Sequence, residues 1–331
     1  MMIKRIYSVI ILSLLVSIII FFISACNRKS SEALPDIYKP SASSSCRIVQ
    51  QVMGICIPTN PQRLVTLSLV TSAIALDLRV KPIGTTNFYQ TKPVYLNNKL
   101  EGIKLLGRSQ PNLEKLLLIK PDLILGWENA GRQIYPLLSK IAPTVLLNYQ
   151  GAPSWREHFN SVAEVLGKKD VAQRAWNRYY QRVEKLKIAL GDSYKHKTIS
   201  FIYLGNRGIE SDVKNSFAGS ILNDIGLRRP STQNVNAPYG IISISKEELN
   251  KADGDILFVT TWSDKDKQVL KKLQQKPLWK KLRAVQQNHV YFVDFATWTG
   301  SNLLAADAVI DDLFKYLINN NTTSHLNNSD V

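Results

Sequence analysis

Apolar positions along this chain follow two periods that alternate. Short apolar runs at 63–67, 122–125 and 144–147 have the length and β-branched content of buried strands. Between and around them, 69–78 and 134–141 carry helical spacing, and 80–84 turns back into a strand and loop. The rhythm breaks in the middle. From Lys169 to Leu190 there is neither proline nor glycine, and Val171, Ala175, Tyr179, Val183, Leu186 and Leu190 mark one face of a helix of about six turns. Gly191 and Asp192 end it. Strands at 199–202, 255–260 and 290–293 then alternate with helices at 217–225, stopped by Gly226, and at 303–318. Strands alternating with helices predict a largely parallel sheet. The fold class is α/β: two lobes joined by one long helix.

A weak internal repeat supports two related lobes. Asn112-Leu113-Glu114 leads into Asp122-Leu123-Ile124-Leu125, and Ser245-Lys246-Glu247 leads into Asp255-Ile256-Leu257-Phe258. Each copy starts with a helix-capping residue, has a glutamate two positions on, and reaches an aspartate eight residues after that glutamate.

The N-terminus stands apart. Lys4 and Arg5 precede an uncharged apolar run from Ile6 to Ala25, the form of an export signal. Its length would also serve a retained single-pass anchor. Ile23-Ser24-Ala25-Cys26 resembles a lipobox, which favours cleavage before Cys26 and a lipid on that cysteine. The serine-rich stretch that follows reads as a tether. The expected organisation is a signal peptide over 1–25, a tether over 26–45, an N-terminal lobe over 46–167 and a connecting helix over 168–191. A C-terminal lobe over 192–320 and a polar tail over 321–331 complete it.

Composition changes the picture in two places. The formal net charge is +16, yet the basic residues are scattered, with no dense tract or base-stacking motif, so nucleic acid is not the expected partner. Anionic lipid headgroups or anionic ligands fit better, beside the simpler reading of a solvated basic surface. Export would put Cys46 and Cys56 in an oxidising compartment, where a disulfide would staple the N-terminal segment by about 3 kcal/mol or less. A metal or redox pair is the weaker reading, because the spacing is not C-x-x-C and no histidine stands nearby.

Dinucleotide, phosphate-loop, nucleophile-elbow and zinc-protease motifs are absent. The four histidines, His158, His196, His289 and His325, are far apart in sequence, so no direct metal site and no intrinsic cofactor are expected. Binding without catalysis is the better default. An exported α/β hydrolase and a lipoprotein scaffold without a small ligand remain as alternatives from other classes.

The stretch Leu106-Gly107-Arg108-Ser109-Gln110-Pro111-Asn112-Leu113-Glu114, continuing to Lys120-Pro121-Asp122, resembles the periplasmic binding proteins for iron siderophores, haem and cobalamin. So do Pro277-Leu278-Trp279 and Asn288-His289-Val290-Tyr291-Phe292-Val293. The resemblance covers nearly all of the body after the tether. It implies a monomeric, membrane-anchored, extracytoplasmic binding component of an ABC importer, partnered by a permease and its ATPase. The ligand it implies is a ferric siderophore of hydroxamate or carboxylate type, with haem or cobalamin as the alternative. It also implies little closure on binding, because a single helix is a stiff connection.

The resemblance assigns residues too. Arg108 would meet iron-bound oxygens, a task suited to a forked and permanently charged guanidinium. Tyr239 and Trp298 would supply cleft walls, against the alternative of ordinary packing. Trp127 and Trp262, each directly after a strand's carboxyl end, join them on that ground, with Arg207, Asn87 and Tyr89 as further candidates. Glu114 and Glu247, one per lobe, would dock on the permease, although a glutamate in a helix's first turn also complements the dipole. Glu248 fits a capping box with Ser245 instead.

Overall fold

The computed structural model describes residues 46–47, 56–89, 92–149, 151–205 and 207–319. The readings for 1–25, for the tether with Cys26, for the tail and for the side chain of Cys46 lie outside them. A short ribbon pairs β1 (Cys46–Arg47) with β2 (Ile57–Pro58). Cys56, at its edge, is disulfide-bonded.

The first lobe is a five-stranded parallel sheet of β3 (Leu64–Thr66), β4 (Gly84–Thr86), β5 (Lys104–Gly107), β6 (Leu123–Trp127) and β7 (Thr144–Leu147), in the order β5-β4-β3-β6-β7. Helix α1 (Leu69–Asp77) starts at Ser68, whose hydroxyl accepts from the Thr71 N–H. Helices α2 (Leu113–Leu118) and α3 (Tyr135–Ile141) cover one face of the sheet, while α4 (Trp155–Val165) joins α1 on the other. The strand expected at 80–84 forms later, at Gly84–Thr86, once the chain has passed Pro82.

A 22-residue helix, α5 (Lys169–Leu190), leads to the second lobe. At 1.5 Å per residue it is about 33 Å long. Its buried face holds Ala175, Tyr179, Val183, Leu186 and Leu190 as the period predicts, with Ala172 fully inside and Val171 only partly so. The second sheet comprises β8 (Ile199–Gly205), β9 (Gly208–Asp212), β10 (Ile241–Ile244), β11 (Ile256–Thr261) and β12 (Val290–Phe292), in the order β10-β9-β8-β11-β12. Only β8, β11 and β12 are parallel. β9 runs antiparallel to both β8 and β10, so this sheet is mixed rather than parallel throughout. Helix α6 (Phe217–Ile225) lies on its inner face and α7 (Asp264–Gln274) on the outer. The one-turn helix α8 (Phe295–Trp298) and α9 (Leu303–Leu313) follow β12, and α9 widens into a π-helical turn over Phe314–Asn319.

The repeat is structural. β6 and β11 each occupy the fourth place in their sheets. Asp122 accepts the N–H groups of Gln62 (2.7 Å) and Arg63 (3.0 Å) just before β3, and Asp255 accepts the Thr198 N–H (2.7 Å) just before β8. Both aspartates tie the start of the central strand to its neighbour.

The long helix is fixed to both lobes. Arg178 pairs with Asp77 of α1 and with Asp307 of α9, each at 3.0 Å. The Tyr179 hydroxyl donates to Asp224 of α6 at 2.6 Å, and Arg156 of α4 pairs with the same carboxylate at 2.7 Å. One apolar core, holding Trp155, Phe159, Tyr179, Phe217 and Phe258, therefore continues from lobe to lobe behind the cleft.

Candidate ligand cleft

In open α/β sheets, ligand-facing side chains gather beyond the carboxyl ends of the strands. Both sheets present aromatic rings there. After β4 the chain forms a tight turn in which Asn87 Oδ1 accepts the Tyr89 N–H at 2.9 Å, so the Asn87 side chain shapes the turn and delivers Phe88 and Tyr89. Trp262 follows β11 in the other lobe. Its ring lies 4.8 Å from Phe88 and 6.2 Å from Tyr89, centre to centre. Phe295 supports Trp262 edge-on at 4.9 Å, and Tyr203 supports Phe295 at 5.3 Å.

A second aromatic group rises from β6 and β7. Trp127 stacks on Tyr149 at 4.8 Å, and His158 lies beneath at 4.7 Å from the Tyr149 ring. Tyr239 of the second lobe comes next to Gly151, two residues beyond Tyr149. Gly151 has φ +84°, where a side chain would be strained. Tyr239 itself sits at φ +57° and is largely exposed. The segment from Thr299 to Asn302 forms the floor: Asn302 Nδ2 donates to the Tyr95 hydroxyl at 3.0 Å, and Thr299 and Ser301 face the hydroxyls of Tyr89 and Tyr149.

The charged candidates stand at the rim. The Asn87 N–H donates to Gly107 O at 3.0 Å, so Asn87 and Arg108 leave the sheet side by side. Arg108 is exposed, at the end of edge strand β5. Three strand spacings, roughly 14 Å, separate it from Trp127 on β6. Arg207 rises from the turn between β8 and β9 and pairs with Glu210 at 2.7 Å.

Burial sets the protonation of the inner groups. It pushes the Tyr89 phenol well above its ordinary value and Tyr149 up to about 12, so both are neutral hydroxyls at physiological pH. It brings His158 down to about 4, leaving a neutral imidazole whose Nε2 is 3.4 Å from the Thr71 hydroxyl. Burial also raises the Glu210 carboxyl, against the lowering effect of Arg207.

Trp298 requires a correction. Its ring is fully buried between Phe201 (4.9 Å) and Phe258 (4.4 Å), and its Nε1 donates to Asp312 at 2.8 Å. It belongs to the core and lines no cleft. The reason is local. Asp294 caps α8 by accepting from the Thr297 N–H, and one helical turn then carries the chain from Phe295, level with Tyr203, down to Trp298, level with Phe201 two residues earlier on β8. Phe295 holds the wall position expected of Trp298. Sequence reasoning also missed Phe88, Tyr149 and Glu210. Phe88 and Tyr149 lie just past strand ends, a signal it used only for the tryptophans. Glu210 lies on β9, whose polar Gly-Ile-Glu-Ser-Asp run does not read as a strand.

The periplasmic binding protein model matches residues 64–297, from β3 to α8. The chain belongs to the periplasmic binding protein family. Relatives of this binding protein match three quarters or more of its length. The probable siderophore-binding lipoprotein YfiY of Bacillus subtilis is 31% identical over 314 residues, 90% of this chain and 95% of that protein. The achromobactin-binding periplasmic protein of Dickeya dadantii is 29% identical, covering 76% of this chain and 85% of its own. Among solved structures, Staphylococcus aureus SirA complexed with staphyloferrin B superposes with a TM-score of 0.70 at 29% identity, over 81% of this chain and 97% of that one. The periplasmic binding protein fold is thus shared across two lobes and the helix between them.

The two docking candidates lie on matching parts of the two lobes. Glu114 is exposed in the first turn of α2, after the Asn112 cap. Glu247 is exposed in the turn after β10. Glu248 is occupied locally: its N–H donates to the Ser245 hydroxyl at 3.2 Å, and its carboxylate pairs with Lys251 at 2.6 Å.

Proposed function

We propose that this protein is the extracytoplasmic binding component of an ABC importer, that it captures a ferric siderophore in the cleft between its lobes, and that it performs no catalysis. The observation that carries the reading is the meeting of Phe88 and Tyr89 with Trp262 across the strand ends, with an arginine at each rim. Aromatic walls bury the organic frame of a chelate, and guanidinium groups meet the anionic oxygens around a ferric ion. Relatives named for siderophores and for achromobactin, and a neighbour solved with staphyloferrin B, point the same way. Arg108, Trp127, Tyr239 and Trp262 are the proposed contacts, with Arg207, Asn87 and Tyr89 around them.

A haem reading would need an iron ligand such as Tyr89. That phenol is held neutral by burial and packed against Trp262, which favours the siderophore. Anchoring through a lipid on Cys26, a disulfide joining Cys46 to Cys56, a monomeric state, and docking of Glu114 and Glu247 on the permease complete the proposal. The pairing of the two cysteines is supported by the bonded state of Cys56 and by the backbone of Cys46 lying opposite Pro58.

The test is a titration of the purified chain with ferric citrate, a ferric hydroxamate, a ferric catecholate, haem and cobalamin, followed by tryptophan fluorescence. One ferric chelate should quench the signal, and Arg108→Ala and Trp262→Ala should each weaken binding by about tenfold or more. Binding of haem or cobalamin alone would reassign the ligand. No response to any of the five would overturn the reading.

A further inference from the structure

One buried carboxylate lies in the wall of the cleft. Tyr203 on β8 and Glu210 on β9 are direct cross-strand partners, so their side chains share the inner face of the sheet. The tight turn that joins the strands carries Arg207 and ends at Gly208, where φ is +99°. Arg207 Nη2 lies 2.7 Å from Glu210 Oε1, and the two side chains differ sharply in exposure, 69% for the arginine and 6% for the glutamate. The Tyr203 hydroxyl is also hydrogen-bonded to the Glu210 carboxylate. A Cβ placed on Gly205 would stand 3.6 Å from Glu210 Oε2 and 3.9 Å from the Trp262 Cβ, so the carboxylate and the aromatic wall are separated by a single glycine.

This arrangement is costly for a surface ion pair. An exposed pair contributes little to stability, and burying its acid adds a desolvation penalty. What the geometry does accomplish is to fix a long, flexible guanidinium from below while leaving it open to solvent at the cleft. A guanidinium has five N–H donors, and a contact with Glu210 leaves others to face outward. Fixing it before a ligand arrives removes the entropy cost of ordering it afterwards.

We propose that Glu210 is a positioning residue, which holds Arg207 at the second-lobe rim beside Trp262 so that its outward donors receive the carboxylate oxygens of an anionic ferric chelate. The inference rests on the function proposed above and adds the chemical class of ligand that this rim selects.

The test is a double-mutant cycle on the purified chain, read by tryptophan fluorescence with ferric citrate as the probe. Glu210→Gln and Arg207→Ala should each weaken binding roughly tenfold, the effect of one charge-assisted hydrogen bond. In the Arg207→Ala background, Glu210→Gln should have no further effect, because the residue it positions is gone. An equal loss in both backgrounds would mean that Glu210 supports the wall by itself, and would overturn the proposal. So would unchanged affinity in Glu210→Gln. If that variant does not fold, Glu210→Asp keeps the buried charge but withdraws it by one methylene, and serves in the same cycle. Wild-type protein that binds a ferric hydroxamate but no ferric carboxylate would overturn the role of Arg207 and leave the transport reading standing. Wild-type protein that binds none of the five probes would overturn both.

Discussion

At the scale of single residues, two buried groups drive stability in opposite directions with pH. His158 is neutral in the fold, brought down to about 4 by burial, whereas an unfolded imidazole titrates near 6.5. Between those values the unfolded chain binds the extra proton, so His158 costs stability as pH falls from 6.5 towards 4. Asp212 is the reverse. Burial pushes it up to about 7, from an ordinary 3.8, against the lowering effects of a hydrogen bond from Ser216 and the charge of Arg229. The fold there holds the proton longer, so Asp212 costs stability as pH rises from 3.8 to about 7. Urea unfolding across the acid and neutral range should separate the two. His158→Asn should gain on wild type towards acid, and Asp212→Asn should gain on wild type towards neutral pH and above. Each difference approaches a few kcal/mol at its far end, because every pH unit between folded and unfolded titration is worth about 1.4 kcal/mol. A difference that stays flat with pH would show that the residue does not titrate as its burial implies. Trp298 teaches a related lesson. Its type and its place after a strand matched a wall residue, and only the depth reached by one turn of α8 put it in the core.

Among the elements, α5 decides how the lobes are held. A helix of this composition and length is stable only if its apolar face is covered, because most helical stability comes from tertiary packing. That cover is supplied from both sides, by α4 of one lobe and by α6 and α9 of the other. The Tyr179 hydroxyl is the polar link in this seam, donating to the Asp224 carboxylate that Arg156 also engages. Tyr179→Phe should therefore cost about 1.5–3 kcal/mol in urea unfolding, the range for a hydrogen bond to a charged group, with ligand affinity unchanged. A loss of affinity without a loss of stability would mean that the seam controls the cleft instead. The antiparallel strands β9 and β10 were not legible from the pattern of apolar residues. Their side chains include Glu210, Ser211, Asp212 and Ser243, and they are strands because β8 offers an edge to β9 and β9 in turn offers one to β10.

For the molecule as a whole, the repeat and the bridge together explain a receptor with two similar halves and a stiff back. Glu114 and Glu247 come from corresponding turns, and both are exposed. Glu114→Ala combined with Glu247→Ala should leave chelate binding intact and reduce cellular uptake to a small fraction of wild type. Normal uptake by the double variant would remove these residues from the permease interface. The α/β class, the length and ends of α5, the two-lobe plan and the strand ends from which Trp127 and Trp262 emerge could all be read from the residue order. They follow from local periodicity and from the rule that ligands gather at the carboxyl ends of strands. Three features came from the folded arrangement alone: Phe88 and Tyr89 meet Trp262, Phe295 rather than Trp298 forms the wall, and a buried Glu210 lies beneath Arg207. They depend on contacts between residues from separate lobes, or on the depth of a side chain within a packed layer. Neither leaves a trace in the period of the chain.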